Sequence, residues 1–125
     1  MLSNIATVLA ALIGVGVIFM GTLPFWAPQA AAGFGIPGTP TQDRTFHAWL
    51  SVKGVRDIAS GLLIFIVLVG GTTHLLGWFM LAASAIPVGD AVIVLRSNGP
   101  KTAVYGIHSA TAAVMLTIGA LLLIA

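Results

Sequence analysis

The chain has 125 residues, enough for one domain, and 58% of them are hydrophobic while 6% are charged. A water-soluble domain carries about a quarter charged residues, and a chain this short has no core that could hide so much apolar side chain. With a mean hydropathy of +1.10, its solvent must be a bilayer. The formal charge of +2 rests on five basic residues, too few for a nucleic-acid footprint, and the lack of cysteine excludes disulfides, thiolate nucleophiles and thiolate metal sites.

Four segments reach the roughly 20 mostly apolar residues that a span requires. Lipid obliges them to be helices, because backbone groups there must be satisfied within the segment. The first runs from about Ile5 to Thr22. No basic stretch precedes it, so it is expected to be retained as a transmembrane helix and not cleaved as a signal. Ala10, Gly14, Gly16 and Gly21 give it a small-residue surface suited to close helix packing or to a homo-oligomer contact.

A long connection follows, Leu23 to Thr45, holding four of the six prolines. Its Phe25-Trp26 pair would anchor it at headgroup level, and a connection of this length also suits a lid over a pocket. The second helix is expected from about Phe46 to Val69, the third from Thr73 to Leu95 and the fourth from Thr102 to Ile124. Gly70-Gly71-Thr72-Thr73 makes a tight turn, and Asn98-Gly99-Pro100 marks the last connection. The expected architecture is all-α, a four-helix transmembrane bundle in one domain over residues 1–125.

Arg44, Arg96 and Lys101 all fall at one end of such a bundle, and the other end carries no basic side chain. The positive-inside bias makes this basic end cytoplasmic and puts both termini outside.

Lys53, Arg56, Asp57 and Asp90 lie inside apolar segments, with His108 at similar depth. A charge near the bilayer centre costs at least ~2.5–3.5 kcal/mol, and such residues usually face a bundle interior and mark function. On the second helix Phe46, Trp49, Lys53, Arg56, Asp57 and Ser60 share an arc of about 100°, and Lys53 and Asp57 are i,i+4 neighbours that can pair. On the third, Pro87 frees the carbonyl of Ala83 and should kink the helix one turn before Asp90. Asp90 has no basic neighbour on its own helix and needs a partner from another. On the fourth, Tyr105, His108 and Thr111 share a face at i,i+3 spacing. Asp57 lies near mid-membrane, and Asp90 and His108 each lie about 8 Å toward the basic end at ~1.5 Å rise per residue. Three helices thus bring polar residues to one depth beneath the long connection.

Two alternatives stand beside a functional site: a structural ion pair on the second helix, and a hydrogen-bonded structural histidine on the fourth. The Lys53-Gly54-Val55-Arg56-Asp57-Ile58-Ala59-Ser60-Gly61-Leu62 stretch, with Gly89-Asp90-Ala91 and His108-Ser109-Ala110, resembles the small integral membrane family labelled domain of unknown function 4267. The resemblance implies a four-helix membrane protein whose polar positions include Arg56, Asp57, Asp90 and His108, and it brings no settled activity. The layout is also similar to that of the DoxX-like membrane proteins.

Two carboxylates, an arginine and a histidine in a low-dielectric pocket suit general acid–base chemistry on a lipophilic small molecule: epoxide opening or hydrolysis, isomerisation or cyclisation. The same Asp–Arg–Asp set serves the soluble limonene-epoxide-hydrolase type, a likeness of side chains and not of fold. In this reading Arg56, Asp57, Asp90 and His108 are catalytic, with Arg56 touching Asp57, Asp90 or both, and Trp49, Lys53 and Tyr105 meet the substrate. No cofactor motif is present, and Lys53 and Arg56 would repel a metal cation from Asp57, Asp90 and His108. The alternatives are a proton-linked small-solute transporter and a structural or accessory membrane subunit.

Overall fold

The computed structural model describes all residues, Met1–Ala125, and is helical throughout with no strand. Helix α1 covers Leu2–Trp26, α2 Arg44–Gly70, α3 Thr73–Arg96 and α4 Lys101–Ile124. Helices α1, α3 and α4 are each long and apolar enough to cross a membrane. Val15, Phe19, Trp78, Val92 and Leu116 stand exposed on their outer faces, a surface made for lipid. This is an integral membrane protein. Helix α2 is as long and less apolar because Lys53, Arg56 and Asp57 fall within little more than one turn.

The boundaries differ from the sequence pattern at the long connection. Helix α1 continues past Thr22, through Pro24, to Trp26; a proline inside an apolar helix is tolerated where neighbouring helices support it. Asp43 caps α2, its Oδ2 accepting the Phe46 backbone N–H at 3.0 Å. The connection is therefore Ala27 to Asp43, and the Phe25-Trp26 pair belongs to a helix end. Its first half is itself ordered as a 3₁₀ helix, Pro28–Phe34, closed by Gly35 in the left-handed conformation at φ 107°. A Cβ on Gly35 would meet the Ala103 Cβ at 2.7 Å, so this residue seats the segment directly on α4.

Helix α1 packs along α2, α3 along α4, and α1 against α4 joins the pairs. The α1–α2 crossing is a glycine contact. A Cβ on Gly54 would stand 2.5 Å from the Gly21 carbonyl oxygen, and one on Gly21 would stand 2.7 Å from the Gly54 oxygen. Ala10, Gly14 and Gly21 are buried in this packing, while Gly16 faces open space.

The apolar core, built on Ala10, Ile64, Leu76, Met80, Met115 and Ile118, occupies the end away from the basic residues. Toward the basic end the packing loosens. Helix α3 is interrupted at Ser84, three residues before Pro87, with the Ser84 hydroxyl donating to the Leu81 carbonyl at 2.6 Å. Beyond that break α3 makes at most marginal contact with α2. Helix α4 widens into a π-helical stretch over Val104–Ser109. A smaller apolar cluster, Ala91, Val94, Ala103 and Val104, packs α3 against α4 there, and space is left between it and α2.

Candidate functional site

Two cavities lie between the apolar core and the basic end. One, of about 600 Å³, lies beneath the Ala27–Asp43 connection. The other, of about 570 Å³, lies between all four helices. Both are lined mainly by aliphatic and aromatic side chains.

On α2, Phe46, Leu50, Lys53, Asp57, Ser60, Leu63 and Ile64 line one or both cavities, and at 100° per residue they fall within an arc of about 140°. Lys53 Nζ donates to Asp57 Oδ2 at 2.7 Å, the one salt bridge in the molecule. The ammonium also stands 5.5 Å from the centroid of the Phe34 ring, within cation–π range.

Arg56 is not part of this group. It follows Gly54 by two residues, which turns it about 160° away from the side of α2 that touches α1. Its guanidinium is exposed, reaches only the Val52 carbonyl at 3.4 Å, and lines neither cavity. The expected contact with Asp57 or Asp90 is not made. Trp49 lies on the same outer edge and is 71% exposed. Tyr105 is 58% exposed. It loses its place beside His108 because the π-helical stretch turns less per residue than an α-helix, so i,i+3 neighbours no longer stack.

Asp90 sits on α3 nearly two turns beyond the break, half-buried, and lines the four-helix cavity. It makes no ion pair and no side-chain hydrogen bond. The titratable groups facing it are Lys53, His108 and Asp57.

His108 is buried, at 6% exposure. Its Nε2 donates to the Phe34 carbonyl at 2.7 Å and its ring stacks on the Phe34 ring, with centroids 4.4 Å apart at 50°. A carbonyl only accepts, so Nε2 carries the hydrogen, and in the neutral ring Nδ1 is left as a free acceptor. Phe34 was not singled out in the sequence. Its one local signal is a lone aromatic in an Ala/Gly-rich run, and its partner lies 74 residues away.

The structure thus brings Lys53, Asp57, Asp90 and His108 together, and leaves Arg56, Trp49 and Tyr105 outside. Chemically the group holds a paired carboxylate, a carboxylate without a partner, an ammonium with two donors to spare and an imidazole of fixed tautomer. These side chains suffice to move protons within an apolar cavity. No curated protein and no solved structure matches the chain. A family model does, the domain of unknown function DUF4267, over residues 14–122. With nearly the whole helical domain inside that match, the chain is a member of the DUF4267 family.

Proposed function

We propose that the protein is a four-helix transmembrane enzyme performing cofactor-independent acid–base chemistry on a lipophilic small molecule. In this reading α2 also spans, the basic end with Arg44, Arg96 and Lys101 is cytoplasmic and both termini are outside. The Ala27–Asp43 connection covers the pocket. The observation that carries the proposal is the set of polar groups in the hollow: an otherwise apolar cavity whose ionisable lining is Lys53, Asp57, Asp90 and His108. A polar centre that only fixed helix packing would need no such space around it.

The roles follow from the geometry. Asp90, free of any partner, is the base that takes a proton from the substrate. Lys53, steered by Asp57, holds the oxyanion that develops. Protonated Asp90 then returns its proton to a second carbon, so an isomerisation balances with nothing added. His108 Nδ1 accepts a hydrogen bond from substrate or relays a proton. Epoxide opening and cyclisation draw on the same groups.

A proton-linked transporter is the second reading, favoured by two cavities meeting at charged residues. The test is deuterium uptake. Purified protein in nanodiscs in heavy water should exchange the acidic C–H of a long-chain β,γ-unsaturated ketone. Asp90→Asn and Asp57→Asn keep shape and should abolish exchange while the protein stays folded. Wild-type exchange in both variants would end the enzymatic reading.

A further inference from the structure

The two cavities share Met20, Phe34, Lys53, Asp57, Ile107 and His108, which form the border between them. The order is the same along each helix that lines both. On α1, Leu12, Ile13, Gly16 and Val17 line the inner cavity and Leu23 and Pro24 the outer, with Met20 between. On α2, Ser60 to Ile64 line the inner and Phe46 and Leu50 the outer, with Lys53 and Asp57 between. On α4, Thr111 and Met115 belong to the inner, while Ile107 and His108 belong to both. The cavities are therefore stacked end to end along the bundle. From Phe46 to Ile64 they run about 27 Å at 1.5 Å per residue, and Lys53 and Asp57 stand about 10 and 16 Å along that path.

We infer that the site takes a long neutral lipid with one oxygen function placed mid-molecule, between two hydrocarbon arms, and excludes lipids whose polar group is terminal. This rests on the reading of the hollow as a binding site for a lipophilic molecule, and it adds the shape and the position of the polar group. A terminal headgroup would leave one arm too few: with its oxygen on Lys53, one of two apolar chambers would stay unfilled. With its hydrocarbon across both chambers, the two spare donors of Lys53 would lie against methylenes, and polar donors left without an acceptor discriminate strongly. A mid-chain carbonyl, hydroxyl or epoxide accepts from the spare donors of Lys53 and fills both chambers at once.

The experiment uses two isomeric long-chain dialkyl ketones, one with its carbonyl at mid-chain and one with it beside the chain end. Binding to the purified protein is measured by native mass spectrometry. The mid-chain isomer is expected to bind at least tenfold more tightly. Ala31→Phe fills the outer chamber and Gly16→Leu the inner, where a Cβ meets nothing within 4 Å. Each alone should lower mid-chain binding at least tenfold. The Lys53→Met/Asp57→Leu double variant should bind both isomers alike, which separates loss of recognition from loss of fold. Equal binding of the isomers by the unaltered protein would overturn the inference, as would unchanged mid-chain binding in either chamber-filled variant. Deuterium exchange that persists beside equal binding would leave the acid–base reading standing alone. Selective binding without exchange would leave the two-armed site standing without that chemistry.

Discussion

Replacing Gly54 by alanine should separate α1 from α2, and the size of the effect follows from the crossing. The new Cβ would lie 2.5 Å from the Gly21 carbonyl oxygen and 3.0 Å from Pro24 Cγ. Ordinary contact begins near 3.4 Å, so the helices must part by about 0.9 Å, the difference between 3.4 and 2.5 Å. A radial gap of ~0.5–1 Å already forfeits a quarter to a half of each van der Waals contact along the seam, and overpacking of this kind costs about 1–3 kcal/mol. Alanine also gains up to ~1 kcal/mol of helix propensity over glycine, which partly hides the loss. Gly16→Ala supplies the control, because it carries the same propensity gain with nothing within 4 Å of its Cβ. The difference between the two variants isolates the steric cost and should be about 1–3 kcal/mol, a shift of roughly 5- to 150-fold in the folding equilibrium. Reversible unfolding in mixed micelles by titration with a denaturing detergent reads that difference. Equal midpoints for Gly54→Ala and Gly16→Ala would refute the glycine crossing.

Lys53→Met should destabilise more than Asp57→Leu. The first leaves Asp57 and Asp90 in one cavity without a cation, whereas the second lets Lys53 turn to Asp90. With the Lys53 side chain 48% exposed, the expected gap is about 1–2 kcal/mol, and the double variant should be milder than Lys53→Met; the same unfolding titration measures all three. His108→Ala strands the Phe34 carbonyl, a loss of about 1–3 kcal/mol at that contact. It should show as faster amide hydrogen exchange at Gly35 and Ile36, with His108→Gln, which keeps a donor, less affected. Cysteines introduced at Thr72 and at Asn98 should label from opposite sides of the membrane, and labelling of both from one side would contradict the four-span arrangement.

The all-helical character was legible because lipid permits little else: long apolar runs must satisfy their own backbone, and turn residues such as Gly70-Gly71 stop them. The limits of the long connection were less legible. Pro24 reads as a helix stop by the rules of water, yet α1 carries it to Trp26 against a neighbouring helix. The π-helical stretch at Val104–Ser109 has no single residue that announces it, and through it Tyr105 left the face that regular spacing assigned.

The exchange of Arg56 for Lys53 as the cation of the site shows what a helical wheel leaves open. An arc of about 100° on α2 could be centred on either side of Lys53, and hydrophobicity does not choose, since the outer face of a membrane helix is as apolar as its packed one. The glycines do choose. Gly14 and Gly21 on α1 are seven residues apart, as are Gly54 and Gly61 on α2. In antiparallel helices that spacing pairs Gly21 with Gly54 and Gly14 with Gly61, the two close approaches the structure shows. Once Gly54 and Gly61 face α1, Arg56 must turn about 160° from that seam, while Lys53 and Asp57 stand at about 100° and 60° from Gly54, beside it. A charge at the edge of a glycine seam enters the bundle and a charge opposite it meets lipid or a partner. The same two glycine pairs that hold α1 to α2 therefore decide which cation shares a cavity with Asp90.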